Sequence, residues 1–378
     1  FRAGIGARGR ELRESWEGRR DAYRESHPDL ADALEQMQRN ELPKGWDAAL
    51  PSFPADESGL ATRESSGKVL NAIAERYPWL VGGAADLSSS TKTDLKFDGA
   101  GNFEPGGYGG RNLYFGVREH SMGSIVNGLV LSKLRAYGST FLIFSDYMKP
   151  AIRLAALMEL PVIHVFTHDS IGLGQDGPTH QPIEQLIGLR SIPGLIDMRP
   201  ADANEVAEAW RTVIPLKRQP ACFVLSRQKL PTLDRGRYAS AKGVARGAYV
   251  LGDAEGGEPE VILIGTGSEV ALCVEAYEQL TAEGVRARVV SMPSWKLFEQ
   301  QDETYRHTVL PPQVKARVSV EEASTMGWER FVGMDGAKIG MHTFGSSAPL
   351  KDLMKKFGFT PDKVVEAAKA QIEKWRNA

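Results

Sequence analysis

Four of the seven histidines of this chain fall within one span of about sixty residues. Two of them, His168 and His180, lie in the segment 167–182, which also carries Asp176 and three glycines. This segment has neither helical nor strand periodicity and directly follows the apolar run 160–166, so it is predicted to be a loop leaving a buried strand. Because such loops carry polar groups on a rigid sheet, the segment is a candidate active site. A glycine-rich turn with incidental histidines is the alternative.

Glu119 is the second candidate for chemistry. It stands between an arginine and a histidine at the end of a short predicted strand and opens a helix, whose dipole favours an anion there. Phe141, Phe144 and Tyr147 cluster at the end of the next predicted strand, 140–144, where they could form an apolar wall for a planar ring. Each has a plainer alternative: a glutamate with only an electrostatic role at a helix start, and aromatic side chains that belong to the core.

The whole-chain composition bounds the function. A length of 378 residues exceeds one ordinary core and suits two domains. The formal net charge of -2 argues against a nucleic-acid partner, and no apolar run approaches the roughly 20 residues that span a bilayer, so no membrane partner is expected. The charged first residues indicate no signal peptide, and Cys222 and Cys273, in apolar surroundings, indicate reduced thiols and a cytoplasmic location.

The chain is predicted to be an α/β protein with two consecutive domains, each a mainly parallel sheet flanked by helices. Residues 1–54 are charge-rich and predict two helices that break at His27-Pro28 and share one narrow buried stripe. Short apolar runs alternate with helical patterns over 55–235, and a smaller α/β domain follows over 245–378. Its Gly265-Thr266-Gly267 turn lacks the third glycine of a dinucleotide fingerprint, so no nucleotide site is expected and this domain shows no evident chemistry.

Four segments carry a resemblance to a known family: 116–120, 140–144, 167–182 and 225–228. They are similar to the transketolases, thiamine diphosphate enzymes of the pentose phosphate pathway. The similarity runs in order from Thr62 to the end of the chain and resembles the pyrimidine-binding domain followed by the C-terminal domain. The residues before Pro51 resemble the tail of the preceding diphosphate-binding domain and its linker.

The resemblance implies a cofactor role for one group of residues. Glu119 would hydrogen-bond the aminopyrimidine of thiamine diphosphate and promote the imino form that removes the proton from the thiazolium carbon. Phe144, with Phe141 and Tyr147, would pack against the pyrimidine ring. Asp86 would lie near the cofactor as well.

A second group of residues would bind the substrate, according to the same resemblance. His180 would stand over the reactive carbon and hydrogen-bond the donor sugar, and Asp176 would bind a substrate hydroxyl. The sugar phosphate would be held by Arg63, Ser90, His168 and Arg227. The loop histidines are not expected to bind a metal, since eleven intervening residues fit no compact ligand spacing.

The sequence departs from the family in one respect. Transketolases bind the cofactor diphosphate and its divalent cation through a domain with a Gly-Asp-Gly motif and a downstream Asn, and this chain has no such pair. Mg²⁺ or Ca²⁺ is therefore expected only through the missing half, in cis or as a separate chain. With that half, the chain would transfer a two-carbon ketol unit between ketose and aldose phosphates, as a homodimer that buries the helix faces after Glu119 and around 152–158. The activity of this chain alone is left open.

Two alternatives remain from the sequence. One is the beta-type half of another thiamine diphosphate enzyme, such as deoxyxylulose phosphate synthase or a two-subunit oxoacid dehydrogenase; the Gly-Pro-Thr-His run and the phosphate-side arginines favour transketolase. The other is a catalytically silent scaffold paralogue, against which the presence of Glu119, His180 and Asp176 counts.

Overall fold

The computed structural model describes residues 1–377 and contains three sheets, of six, five and two strands. The strands are β1 (Asp56–Ala61), β2 (Leu80–Ala84), β3 (Asn112–Tyr114), β4 (Arg135–Phe141), β5 (Ile163–Thr167), β6 (Ile196–Met198), β7 (Ala221–Leu225), β8 (Lys229–Thr232), β9 (Tyr249–Gly252), β10 (Val261–Gly265), β11 (Ala287–Ser291), β12 (Arg317–Ser324) and β13 (Ala337–Met341). The α-helices are α1 (Ala7–Ser26), α2 (Pro28–Gln38), α3 (Thr62–Arg76), α4 (Ser88–Thr91), α5 (Glu119–Leu131), α6 (Ser145–Leu157), α7 (Gln185–Arg190), α8 (Ala203–Val213), α9 (Glu269–Ala282), α10 (Trp295–Glu299), α11 (Glu303–Val309), α12 (Glu329–Val332), α13 (Leu350–Phe357) and α14 (Pro361–Arg376).

The first sheet is fully parallel, with the strand order β3-β2-β4-β5-β7-β6. Helices α3 and α8 pack on one face, and α5 and α6 on the other, so that each face has its own apolar core. Two covered faces explain why β7 is apolar and buried along its whole length rather than alternating between apolar and polar residues. The predicted architecture of this part is confirmed.

Gly82 and Gly83 lie inside β2. A Cβ atom on Gly82 would lie 2.4 Å from the carbonyl oxygen of Tyr137 on the neighbouring strand. The two glycines therefore permit close strand packing instead of ending the strand.

The second sheet has the order β13-β12-β10-β11-β9 and is parallel except for β9, which runs antiparallel to β11. Helices α9 and α14 pack against each other over this sheet. The antiparallel ribbon β1-β8 joins the start of the first α/β unit to its end. Each sheet lies within one predicted domain, while the boundaries at 54/55, 235 and 245 stay predictions.

The two N-terminal helices form as predicted, with α1 ending at Ser26 and α2 beginning at Pro28. The predicted buried stripe is wrong for this chain. Leu12, Trp16 and Leu30 are 65%, 57% and 59% exposed. Helix α1, all of whose residues the structure describes, has no buried side chain. An apolar stripe is buried only when a second element packs over it. In the part of the chain that the structure describes, no helix combines the length and hydropathy needed to cross a membrane.

Candidate functional site

The candidate residues lie at one edge of the first sheet, where its parallel strands end. Because all six strands run in the same direction, the loops that follow them converge on this edge. Asp86 and Ser90 follow β2, and the loop 168–182 follows β5. Arg63 lies at the start of α3 and Glu119 at the start of α5. The aromatic candidates come from the end of β4 (Phe141), the turn after it (Phe144) and the first turn of α6 (Tyr147), and Arg227 follows β7.

Glu119 is the first residue of α5 and is 7% exposed. Thr140, near the end of β4, donates a hydrogen bond from Oγ1 to Oε1 of this carboxylate at 3.2 Å. The sequence singled out Glu119 but missed Thr140, although Thr140 lies in a segment that carried the resemblance. The buried position and the helix N-terminus together provide a carboxylate that is held in one orientation at the sheet edge.

The three aromatic rings form a stack at the same sheet edge as Glu119. Phe141 and Phe144 have ring centroids 6.0 Å apart with an interplanar angle of 15°, and Phe144 and Tyr147 are 6.1 Å apart at 22°. The predicted strand 140–144 is wrong at its end, because β4 stops at Phe141 and 142–144 form a 3₁₀ turn that leads into α6. The spacing of three residues along this helical path places the three rings on one side.

His168 is buried at the start of the loop and has a φ of 60°, in the left-handed region that non-glycine residues rarely adopt. Its ring stacks on Phe141 with centroids 3.6 Å apart. Nδ1 lies 2.7 Å from Oγ1 of Thr167, and Nε2 lies 3.5 Å from Nη1 of Arg63. Burial, helped by the charges of Arg63 and Arg227, lowers the pKa of His168 to about 3, so the imidazole is neutral at pH 7.

Arg63 donates from Nη1 to the carbonyl oxygen and to Oγ of Ser90, at 2.8 and 3.3 Å. Burial and the nearby charge of Arg227 both lower the pKa of Arg63. Within residues 1–377 neither arginine forms an ion pair with a carboxylate, and the imidazole of His168 beside them is neutral. Two guanidinium groups without an anionic partner make this corner of the site suited to an anion.

The outer part of the loop is more open. The ring of His180 meets Phe144 edge-on at 5.6 Å, and its Nδ1 lies 2.9 Å from Oγ1 of Thr179. Asp176 is exposed and lines a cleft of about 280 Å³ together with Arg227. Pro349 and Leu350 of the second domain line the same cleft, so the second domain contributes to the wall of the site.

Asp86 is the candidate that the structure ties least to the others. It is exposed, has a φ of 62° and, within residues 1–377, forms no hydrogen bond to another candidate residue. In the same part of the chain, no group of three or more His, Cys, Asp and Glu side chains is placed to hold a metal ion.

The sequence matches two family models, the transketolase pyrimidine binding domain over residues 58–232 and the transketolase-like C-terminal domain over residues 247–360. The transketolase of Geobacillus stearothermophilus is 50% identical over 99% of this chain and 56% of that protein. The chain belongs to the transketolase family. The resemblance found in the sequence is confirmed, and this family member spans about half the length of the curated relatives that it matches.

Solved transketolase structures share the fold. The Pichia stipitis transketolase in complex with sedoheptulose-7-phosphate has a TM-score of 0.91 and 38% identity, covering 98% of this chain and 54% of that one. A split-gene transketolase, described as an inactive beta4 tetramer, has a TM-score of 0.65 and 26% identity, covering 83% of this chain and 99% of that one. A transketolase chain of similar extent therefore exists as a separate polypeptide.

Proposed function

We propose that this chain provides the pyrimidine side of a transketolase active site, which transfers a two-carbon ketol unit between ketose and aldose phosphates with thiamine diphosphate. The observation that carries the proposal is the placement of two unpaired arginines and a neutral, buried His168 on the same sheet edge as Glu119 and the aromatic stack. The two arginines suit a phosphate, and the aromatic side chains suit a planar ring.

The phosphate of the sugar binds to Arg63, Ser90, His168 and Arg227 in this proposal. A phosphate supplies the negative charge that the two guanidinium groups lack within this chain, and their planar forks match its oxygens. The neutral imidazole of His168 donates one further hydrogen bond if its proton is on Nε2. The complex of the Pichia stipitis relative with sedoheptulose-7-phosphate supports a sugar phosphate as the ligand.

The residues around Glu119 fit the pyrimidine of thiamine diphosphate. The carboxylate is buried, oriented by Thr140, and lies at the same edge as the stack of Phe141, Phe144 and Tyr147. When bound, this cofactor supplies an electron sink that the protein side chains lack. Glu119 holds a proton at its carboxyl oxygen and orients the ring, and the aromatic rings exclude water from one face.

His180, Asp176 and Asp86 complete the proposed site. His180, held at Nδ1 by Thr179, presents its other nitrogen for hydrogen bonding to the donor sugar. The exposed carboxylate of Asp176 binds a substrate hydroxyl in the cleft beside Arg227. Asp86 lies at the sheet edge near the cofactor.

The diphosphate and its Mg²⁺ or Ca²⁺ need ligands from elsewhere. Among residues 1–377 no cluster of metal-binding side chains is found, and the sequence has no Gly-Asp-Gly motif. We infer that a diphosphate-binding half, in cis or as a separate chain, provides these ligands. The similarity to a split-gene transketolase supports the second arrangement, and the two buried, unbridged cysteines support a cytoplasmic location.

Reconstitution tests the function. Mixing this chain with a diphosphate-binding half of a transketolase, thiamine diphosphate and Mg²⁺ is expected to produce ketol transfer from a ketose phosphate to an aldose phosphate. Each component omitted in turn is the control and is expected to abolish the activity. Absence of transfer, with both proteins folded and associated, would contradict the proposal and favour a catalytically silent scaffold.

We also propose that the chain forms a homodimer through α5 and α6. The exposed large apolar side chains include five on or next to these helices: Ile125, Leu131, Leu154, Leu157 and Met158. The two helices pack side by side, so these side chains form one surface that water covers in the monomer. Dimer formation would remove that apolar area from water.

The substitution Leu157→Lys tests this surface. Leu157 is 68% exposed in the monomer, so the change costs little folding free energy but places a charge in the proposed interface. We expect the dimer dissociation constant to rise by about 100-fold, measured by sedimentation velocity over a concentration series. Met326→Lys, at 67% exposure in the second domain, is the matched control and should dissociate as the parent chain does. Equal dissociation of the two variants would rule out this interface.

A further inference from the structure

Arg199 lies directly after β6 and is 1% exposed, at the contact between the two domains. Its guanidinium donates from Nε and Nη2 to Oδ2 of Asp169, at 3.1 and 2.9 Å, on the side of the first domain. On the other side it forms an ion pair with Glu269, the first residue of α9 in the second domain. Nη1 also donates to the carbonyl oxygen of Thr266 at 2.8 Å. One side chain therefore joins the two domains through two buried carboxylates.

The glycine turn at the start of α9 makes room for this arginine. Gly267 has a φ of 55°, and a Cβ atom there would lie 2.7 Å from Cζ of Arg199. Its amide donates to the carbonyl oxygen of Arg199 at 3.0 Å. The motif that resembles an incomplete nucleotide fingerprint is thus explained by the approach of Arg199, and Gly267 is required for it.

Asp169 is the residue after His168, whose backbone is held in the left-handed region. A residue in that region keeps its conformation only when its surroundings fix it. The side chain of Asp169 is fixed by Arg199, while Thr167 and Phe141 contact the ring of His168. The position of the His168 imidazole therefore depends on an ion pair that ends in the second domain.

The second domain also holds the far end of the loop. Gln181 donates from Nε2 to the carbonyl oxygen of Ser346 at 3.0 Å, and Ser347 donates from Oγ to the carbonyl oxygen of Gln175 at 2.6 Å. Helix α13 packs against the 3₁₀ segment of the loop. Both ends of the loop that carries the substrate-side residues are thus attached to the second domain.

We propose that Arg199 and Glu269 are positioning residues, which hold Asp169 and thereby set His168 for binding the phosphate of the sugar. The second domain is, on this proposal, the anchor of the substrate loop. The phosphate part of this inference rests on the proposed function, whereas the anchoring of the loop does not. Arg199 acts through Asp169 and does not itself contact the substrate.

A second buried network provides a matched control. Arg190 donates to Asp197 at 3.0 Å and pairs with Glu321 of the second domain at 2.8 Å. Asp197 also accepts backbone hydrogen bonds from Trp295 and Lys296 of the second domain. This network joins the same two domains with similar burial but does not end beside His168.

Hydrogen exchange measured on this chain tests the anchoring. Asp169→Asn and Glu269→Gln are each expected to speed amide exchange in the loop 170–181 by about tenfold, because the loop opens more readily when its anchor is weakened. Asp197→Asn is expected to leave exchange in that loop unchanged. If an Asp169 variant does not fold, Arg199→Lys replaces it, since a lysine keeps the charge but cannot fork between both carboxylates. Unchanged exchange in the folded Asp169, Glu269 or Arg199 variants would overturn the proposal.

Kinetics of the reconstituted enzyme test the phosphate part. Asp169→Asn and Glu269→Gln should raise KM about tenfold for a phosphorylated ketose donor, while kcat and the KM for a non-phosphorylated ketol donor stay close to those of the parent enzyme. Arg63→Met, which removes a direct phosphate contact, should show the same pattern. Equal losses with both donors, or the same loss in Asp197→Asn, would show a merely structural role. Inactivity of the parent enzyme would instead count against the proposed function, with the exchange result still standing.

Discussion

The substitution Glu119→Gln is expected to lower kcat for ketol transfer by about 1000-fold in the reconstituted enzyme. Glutamine keeps the shape of the side chain and can still accept the hydrogen bond from Thr140, but it cannot hold or release a proton. Since Glu119 is the first residue of α5, at the same sheet edge as the aromatic stack, the loss should fall on the proton step and leave the binding of sugar phosphate nearly unchanged. Steady-state kinetics with a ketose phosphate donor give kcat and KM separately.

Glu205→Gln is the control for burial and charge. Glu205 is also a buried glutamate in the first turn of a helix, α8, but it hydrogen-bonds to Tyr249 and Ser291 rather than to groups at the candidate site. The control should lower thermal stability without changing kcat per folded molecule. A Glu119→Gln enzyme with a kcat within tenfold of the parent value would refute the proton-holding role.

The sequence predicted the fold well because the first sheet is covered on both faces. β7 is a continuous apolar run, and all five of its residues are buried. Local residues also fix helix starts: Asp202 caps α8 by accepting a hydrogen bond from the amide of Glu205, and Thr360 precedes Pro361 at the start of α14. Each helix cap is formed by residues within a few positions of one another, so it can be predicted from the local sequence alone.

The candidate site was predictable for a different reason. Parallel strands bring the loops after them to one edge, so the polar residues after β5 and the glutamate after β3 had to lie on the same side. The cluster of Phe141, Phe144 and Tyr147 is visible in the sequence, but its helical geometry is not, because β4 ends at Phe141, three residues before the predicted end of the strand. The end of a strand depends on its neighbours in the sheet, which the local sequence does not specify.

The contacts between distant residues were not predictable. Arg199 and Glu269 are 70 positions apart, and the sequence contains no pattern that links them. Gly267 was noted only as part of an incomplete nucleotide motif, whereas its structural reason is the guanidinium of Arg199. On α1 the sequence predicts a buried apolar stripe that is in fact exposed. Periodicity predicts an apolar face but does not show whether another element covers it.

Acid should weaken this fold through two buried histidines. His164 lies inside β5 with both ring nitrogens buried and unpaired, and burial lowers its pKa to about 3, as it does for His168. Both imidazoles remain neutral in the folded chain, while in the unfolded chain they bind protons below about pH 6.5. Stability is therefore full above pH 6.5 and falls as the pH decreases toward 3. When the pH is lowered from 6.5 to 5, each histidine should lower the free energy of unfolding by about 2 kcal/mol, measured by urea denaturation.

His164→Leu separates this effect from other acid titrations. Leucine has a similar volume and places no polar atom in the core, where the ring nitrogens of His164 have no partner. The variant should lose about 2 kcal/mol less than the parent chain between pH 6.5 and pH 5. If His164→Leu kept the full slope, a buried neutral His164 would be excluded as a cause, and the acid sensitivity would have to come from the carboxylates between the domains.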